Sequence, residues 1–266
     1  MRRAPVPADL PGGEARWLVV VAHPDDEVLG CGALLWRLSD VDVVHVTDGA
    51  PRDGDDARRH GFASPAAYAA ARWREARAAL DLAGVPEARH HGFGVADQGA
   101  AAAMAAVARR LLPLVAGADA VLTHAYEGGH PDHDAVAVAV RAAARLAGGG
   151  PPVYEMPFYH AAPQGWARQL FLPAAGAGAP VRLALSEAEI ARKHRMAACH
   201  ATQGATLAGF ALDRETLRRA PDHDFAARPH GGDLLYERHG WNLDWAGWLA
   251  AVAAAENALG LAGPVP

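Results

Sequence analysis

Three short apolar runs mark the first half of the chain, Trp17 to Ala22, Val41 to Thr47 and Asp119 to His124, and each is followed at once by polar residues or glycine. Apolar residues at successive rather than alternate positions suit strands buried on both faces of a parallel sheet. Between and after these runs the spacing turns helical, over Glu27 to Leu38, Ala66 to Ala83, Ala101 to Val115 and Asp134 to Leu146. Ser64 offers an N-cap oxygen to the second of these, and Pro65 presets φ at its first position. Strand and helix in alternation predict an α/β protein with a layered, mostly parallel sheet and helices on both faces.

Val153 to Met156 and Val181 to Leu185 read as later strands, and Ser186 with Glu189 three residues on is a capping box that predicts a helix to about Cys199. Asp244 to Leu259 predicts a last helix. No linker divides the chain, so residues 1–266 are expected to form one domain. Within it, 1–16 reads as a flexible leader, 163–179 as a surface excursion or small cap, and 204–266 as an extension packed on the domain. Gly49 to Arg59 and Ala125 to His130 are loops that adjoin polar residues at strand ends. Open α/β sheets place ligands outside the carboxyl ends of their strands, so chemistry is expected at these two loops.

Composition narrows the class. With 51% hydrophobic and 21% charged residues over 266 positions, the chain has an ordinary globular makeup and can bury a substantial core. A net charge of -5 gives no field to draw in nucleic acid or an anionic membrane, which favours a small-molecule partner. Arg109 with Arg110, and Arg141 with Arg145, break the alanine-rich stretches before they reach the ~18 to 20 apolar residues of a membrane span. Two distant cysteines, Cys31 and Cys199, and an N-terminus with prolines and glycines where a signal peptide is apolar point to the reducing cytoplasm. Self-association into a homo-oligomer is compatible with all of this.

The chemistry is concentrated in two clusters. Ala22-His23-Pro24-Asp25-Asp26-Glu27 sets a histidine and three carboxylates where the first strand meets its helix. One acid would suffice to cap that helix, and three beside a histidine exceed what capping needs. His124 to Asp134, containing His130-Pro131-Asp132-His133, follows another buried strand and opens another helix. Parallel topology brings such strand ends to one edge of the sheet. Imidazole and carboxylate are zinc ligands, and a catalytic site keeps three protein ligands and an open position. His23, Asp26 and His133 fit that description, leaving Asp25 to take a proton from water that the metal acidifies.

With these residues the sequence resembles the LmbE-like, or PIG-L, family of zinc-dependent N-deacetylases, which act mainly on N-acetylglucosamine-containing substrates. The match rests on AHPDDE at Ala22 to Glu27 and HPDH at His130 to His133, in the expected order. Thr47-Asp48-Gly49, Arg72 with Glu75, and Lys193 through His200 to Gln203 support it, although Thr202 replaces a serine in the last stretch. The resemblance implies a three-layer Rossmann-like sandwich with His23, Asp26 and His133 as metal ligands and Asp25 as general base. His130, oriented by Asp132, is implied to stabilise the oxyanion or protonate the leaving amine, and Arg72 to contact substrate. Arg72 stands among Arg74 and Arg77, where a solvated helix face explains it equally well. The implied cofactor is Zn2+, with Fe2+ or Co2+ compatible with the same donors.

The expected function is removal of an N-acetyl or short N-acyl group from an amino sugar such as an N-acetylglucosaminyl glycoside. A mycothiol-conjugate-type amidase or an antibiotic-glycoside deacylase would use the same chemistry. A non-catalytic sugar-binding module on the same fold is the reading of another class, and a metallo-phosphoesterase ranks third, since no basic cluster is evident to hold phosphate. Gly30 and Gly32 form no complete dinucleotide fingerprint and read as packing positions. Asp53, Asp55, Asp56, His90 and His91 read as solvated loop residues, and Cys31 and Cys199 as small core residues. Trp241, Trp245 and Trp248 read as one core-facing helix face, with a sugar-stacking platform the lesser alternative.

Overall fold

A computed structural model describes residues 4–241 and 243–262. Five strands, β1 (Arg16–Val21), β2 (Asp40–Thr47), β3 (His90–Val95), β4 (Ala120–His124) and β5 (Val153–Met156), pair in parallel in the spatial order β3-β2-β1-β4-β5. β6 (Tyr159–Ala162) and β7 (Gly165–Arg168) form a separate hairpin. β8 (Val181–Leu183) and β9 (Glu215–Arg219) complete the main sheet, β9 antiparallel to β5 and β8 antiparallel to β9. The helices are α1 (Asp26–Arg37), α2 (Asp55–Arg59), α3 (Pro65–Ala83), α4 (Ala100–Ala116), α5 (Pro131–Leu146), α6 (Glu187–Cys199), α7 (Gly204–Leu207), α8 (Leu235–His239) and α9 (Trp245–Leu259).

The central strand explains the three layers. Successive residues of β1 point to opposite faces. Leu18 and Val20 share one apolar cluster with Met104 and Leu111 of α4, Val136 and Val140 of α5, and Trp248 of α9. Val19 and Val21 share the cluster on the other face with Leu34 and Leu35 of α1, Leu80 of α3 and Met196 of α6. Each face is apolar because each is covered, which is why the run carries no alternation. No helix among the described residues is long and apolar enough to cross a membrane.

Four segments differ from expectation. β3 forms where His90 and His91 read as loop, and 163–179 contains β7 of the hairpin. The part from 204 onward does more than pack on the sheet, because β9 is a strand within it. Residues 4–15 of the expected leader are held in place, with Leu10 buried, Arg37 donating to the Pro5 carbonyl (3.0 Å) and Ser39 N donating to Gly13 O (2.9 Å). Residues 1–3 of that leader lie outside the described residues.

α1 is broken at Cys31 (φ -149°), and the freed backbone groups find partners from the tail. The Glu215 carboxylate accepts from Ala33 N (2.7 Å) and Leu34 N (2.9 Å), while Lys193 Nζ donates to Leu29 O (2.8 Å) and pairs with Glu215 (2.9 Å). A kink whose orphaned groups are satisfied by fixed charges is a built feature of the helix.

Candidate active site

Strand order reverses around β1: the chain moves to β2 and β3 on one side and to β4 and β5 on the other. Ligands of open α/β sheets bind in the crevice at that switch point. Here the turn after β1 is pinned from both neighbours. Ala22 N donates to His124 Nε2 (2.9 Å), and Ala22 O accepts from Thr47 N (2.8 Å) and Oγ1 (2.9 Å). The next turn, after β4, leads into α5, where Pro131 occupies the first helical positions and His130 is the N-cap.

Three of the expected donors converge. His23 Nδ1 lies 3.2 Å from His133 Nε2 and 3.3 Å from Asp26 Oδ2, and His133 Nε2 lies 3.4 Å from Asp26 Oδ1. Ligands about 2.0 to 2.1 Å from a tetrahedral zinc stand about 3.3 to 3.4 Å apart, so the donor set fits such an ion in spacing as well as in kind. All three residues are buried. Burial opposes the Asp26 charge, but His133, His124 and His23 outweigh it and hold the carboxyl well below its usual range. Burial and the neighbouring His124 push His133 down to about 4 against the pull of Asp26. His124, stacked on His133 at 4.0 Å between ring centroids, spends its Nε2 lone pair on Ala22 N–H and supports the site from behind.

Asp25 stands beside this trio on a strained backbone, at φ 151° and ψ -22°. Its N–H donates to Glu27 Oε2 (3.0 Å), which His45 Nε2 also meets at 2.9 Å, and Glu27 is fully buried. Arg72 Nη2 donates to Asp25 Oδ2 (2.9 Å) and Pro24 O (3.0 Å), and Nη1 to Gly49 O (2.7 Å). Gly49 has φ +64°, and a Cβ there would collide with this guanidinium. Arg72 is therefore not on a solvated helix face: it is buried, and both terminal nitrogens donate to the turn that presents Asp25. Burial pushes the Asp25 carboxyl up to about 6 against the pull of Arg72.

Asp132 is closer to His23 than to the ring it was expected to orient. Its Oδ2 is 3.3 Å from His23 Nε2 and 3.9 Å from His130 Nδ1, and the carboxylate also accepts from Gln98 N (2.6 Å) and Ala100 N (2.9 Å). A carboxylate on the far nitrogen of a ligating histidine fixes the ring and its tautomer. His130 Nδ1 accepts from Asp132 N (3.2 Å), so a neutral His130 carries its proton on Nε2. Burial and the neighbouring His23 push His130 down to about 3, which keeps the ring neutral.

Two acids escaped the sequence reading. Glu27 was counted only as part of a motif. Asp97 follows β3, so recognising that strand would have placed it at the same sheet edge. Asp97 Oδ1 lies 3.6 Å from His23 Nε2 and 3.8 Å from His130 Nε2, and it has no hydrogen-bond partner among the described residues.

A cavity of about 460 Å³ opens over these groups, with Tyr159, Trp166, Phe210 and Trp241 in its wall. The tryptophan trio divides. Trp248 is core, Trp245 sits against Arg228, and only Trp241 reaches the cavity, 4.9 Å from the His130 ring.

Fold and site together define an α/β protein with a His/Asp donor set, suited to a divalent cation, at the sheet's switch point. Residues 18–144 match the model of the PIG-L family, described as GlcNAc-PI de-N-acetylase. In sequence comparison no curated protein matches. Among solved structures, the chain is similar to the A40926 pseudoaglycone deacetylase (TM-score 0.62, 23% identity, 77% of this chain and 97% of that one). It is also similar to the N,N'-diacetylchitobiose deacetylase of Pyrococcus horikoshii (0.50, 19%, 71% and 71%). A third likeness is to the 4-carboxy-2-hydroxymuconate hydratase of Pseudomonas putida (0.50, 22%, 71% and 80%). At these identities the likeness is one of fold, and the fold carries more than one reaction.

Proposed function

We propose that the protein is a metal-dependent N-deacetylase that removes an acetyl or short acyl group from the nitrogen of an amino-sugar glycoside, working in the cytoplasm as a soluble enzyme. One observation carries this most directly: His23, Asp26 and His133 converge at zinc-like spacing with Asp25 clamped beside them under the cavity. The family's description and the two deacetylases of the same fold supply the substrate class. Zinc is the cation the donors suit best, and iron or cobalt is compatible with them.

When bound, a divalent cation supplies Lewis acidity, polarising an acyl carbonyl and bringing the pKa of water toward neutrality. The remaining work falls to the chain. Arg72 holds Oδ2 of Asp25, so Oδ1 is left to accept a proton from water as that water attacks the carbonyl carbon. His130 Nε2–H donates to the carbonyl oxygen as negative charge builds on it, and it can do so as a neutral ring. Asp132 keeps His23 in register. The proton held by Asp25 then passes to the nitrogen as the C–N bond breaks, giving a carboxylic acid and a free amine.

Metal per chain after zinc loading, measured with amine release from N-acetylglucosamine and N,N'-diacetylchitobiose, tests this. The expected result is about one ion per chain, much less in His133→Ala, and an Asp25→Asn variant that keeps its ion but loses ~10² to 10⁴-fold in turnover. A parent that binds no zinc, or an Asp25→Asn variant at full rate, would overturn the reading. A hydratase on this fold would release no amine.

A further inference from the structure

Glu127 is a buried acid three residues before His130, and it lies outside the cavity lining. Its carboxylate serves the wall of that cavity. Oε1 accepts from both Phe158 N (2.6 Å) and Tyr159 N (3.0 Å), where the chain leaves β5 at Met156 and enters β6 at Tyr159. Buried N–H groups need an acceptor, and a carboxylate is a stronger one than a carbonyl. Oε2 has no hydrogen-bond partner among the described residues, and His160 Nδ1 stands 3.9 Å from it. A charge buried without a close ion-pair partner is costly, so packing alone would be served better by an apolar residue.

The loop that carries Glu127 does not depend on this side chain. Asp134 accepts from Glu127 N (3.1 Å) and Gly128 N (3.1 Å), and Gly128 O accepts from Leu235 N (2.9 Å). The approach to His130 is thus held through backbone groups, whereas the two wall amides are held by the carboxylate. Tyr159 is the ring that joins the donor end of the cavity to the rest of its wall, 5.5 Å from His133, 4.8 Å from Trp166 and 6.0 Å from Phe210. Loop and wall are in close contact, since a Cβ at Gly129 would collide with the Tyr159 carbonyl oxygen.

We infer that Glu127 is a positioning residue for substrate binding: it fixes Tyr159 beside the donor end of the cavity, and through that ring sets how tightly the sugar next to the reacting amide is held. This rests on the deacetylase reading above. Glu127 makes no hydrogen bond or ion pair with His23, Asp26 or His133, so its loss should be felt in KM rather than in kcat or bound metal.

On the zinc-loaded protein with N,N'-diacetylchitobiose, Glu127→Met is expected to raise KM about 5- to 20-fold while kcat stays within about 3-fold and bound zinc stays parental. Glu127→Asp, one methylene short of the two amides, carries the same expectation should the Met variant fail to fold. Glu127→Gln keeps an oxygen for both amides and is expected to hold KM within about 2-fold of the parent. In a Tyr159→Ala background, Glu127→Met should add nothing further to KM. Lower stability with parental KM, a fall in kcat or zinc in place of a rise in KM, or KM effects that multiply in the double variant would each overturn the inference. If the parent releases no amine, the deacetylase reading fails first, and amide hydrogen exchange still judges Glu127. The Phe158 and Tyr159 amides should exchange at least about 10-fold faster in Glu127→Met than in the parent or Glu127→Gln, and equal protection in all three would count against the anchor.

Discussion

Asp25 carries its carboxylate on a backbone few residues tolerate, and such conformations cost on the order of 1 to 3 kcal/mol and persist only where neighbours enforce them. Glu27 and Arg72 are the enforcers, one on the N–H and the other on the preceding carbonyl and the carboxylate itself. Burial would raise Glu27, but His45 and His200 bring its carboxyl down to about 2, so it remains a charged acceptor. Glu27→Met, which leaves the Asp25 N–H without an acceptor, is expected to lower kcat by about 10²-fold with KM and bound metal near parental values. Glu27→Gln still presents an oxygen and should keep most of the rate; a Gln variant as slow as the Met variant would show that charge matters more than position. The contiguous motifs made most of this site legible, since His23, Asp25, Asp26, His130 and His133 are announced by their own neighbours. Asp97 stands alone between an alanine and a glutamine, and only the sheet makes it a neighbour of His23.

Among the elements, those buried by apolar residues were readable and those buried by paired charges were not. β9 reads Glu-Thr-Leu-Arg-Arg, yet Glu215 and Arg218 are buried, because Lys193 and Glu155 lie across from them. β3 contains two histidines and two glycines and lies at the sheet edge, where one strand neighbour is enough. The Glu215 cap on the broken α1 invites a stability measurement. Glu215→Leu strands Lys193 as a buried charge and is expected to cost about 3 to 5 kcal/mol in urea denaturation, with Lys193→Met in the same chain restoring part of it. Additive losses would deny the pairing. β2 offers a pH test. Burial would raise Asp42, but His91 (2.8 Å) and Arg89 (2.5 Å) hold it below its usual range. A carboxyl depressed by folding stabilises the native state above its unfolded pKa of about 3.9 and loses that contribution as pH falls through the lowered value. Urea midpoints of the parent should therefore exceed those of Asp42→Asn near pH 6 and approach them near pH 3. A gap that is constant with pH would exclude Asp42 titration as its source.

Across the whole molecule, Trp248 is one of the side chains that tie the tail to the site. Trp248 of α9 is fully buried, donates from Nε1 to Phe225 O (2.9 Å) and stacks at 5.8 Å on Tyr126, which precedes the loop to His130. Trp248→Ala is expected to cost about 3 to 5 kcal/mol, measured by urea denaturation, and a loss below about 1 kcal/mol would show that α9 is only loosely held. The separation of donors and wall along the chain has a further consequence. His23, Asp26 and His133 are all present once α5 has been made, whereas Tyr159, Trp166, Arg168, Phe210 and Trp241 come later. On the proposed function, the chain would be able to capture an ion during synthesis before it has anywhere to seat a sugar. On the same proposal, changes in the later segments would alter which amide is chosen while the parts proposed to cut it stay as they are.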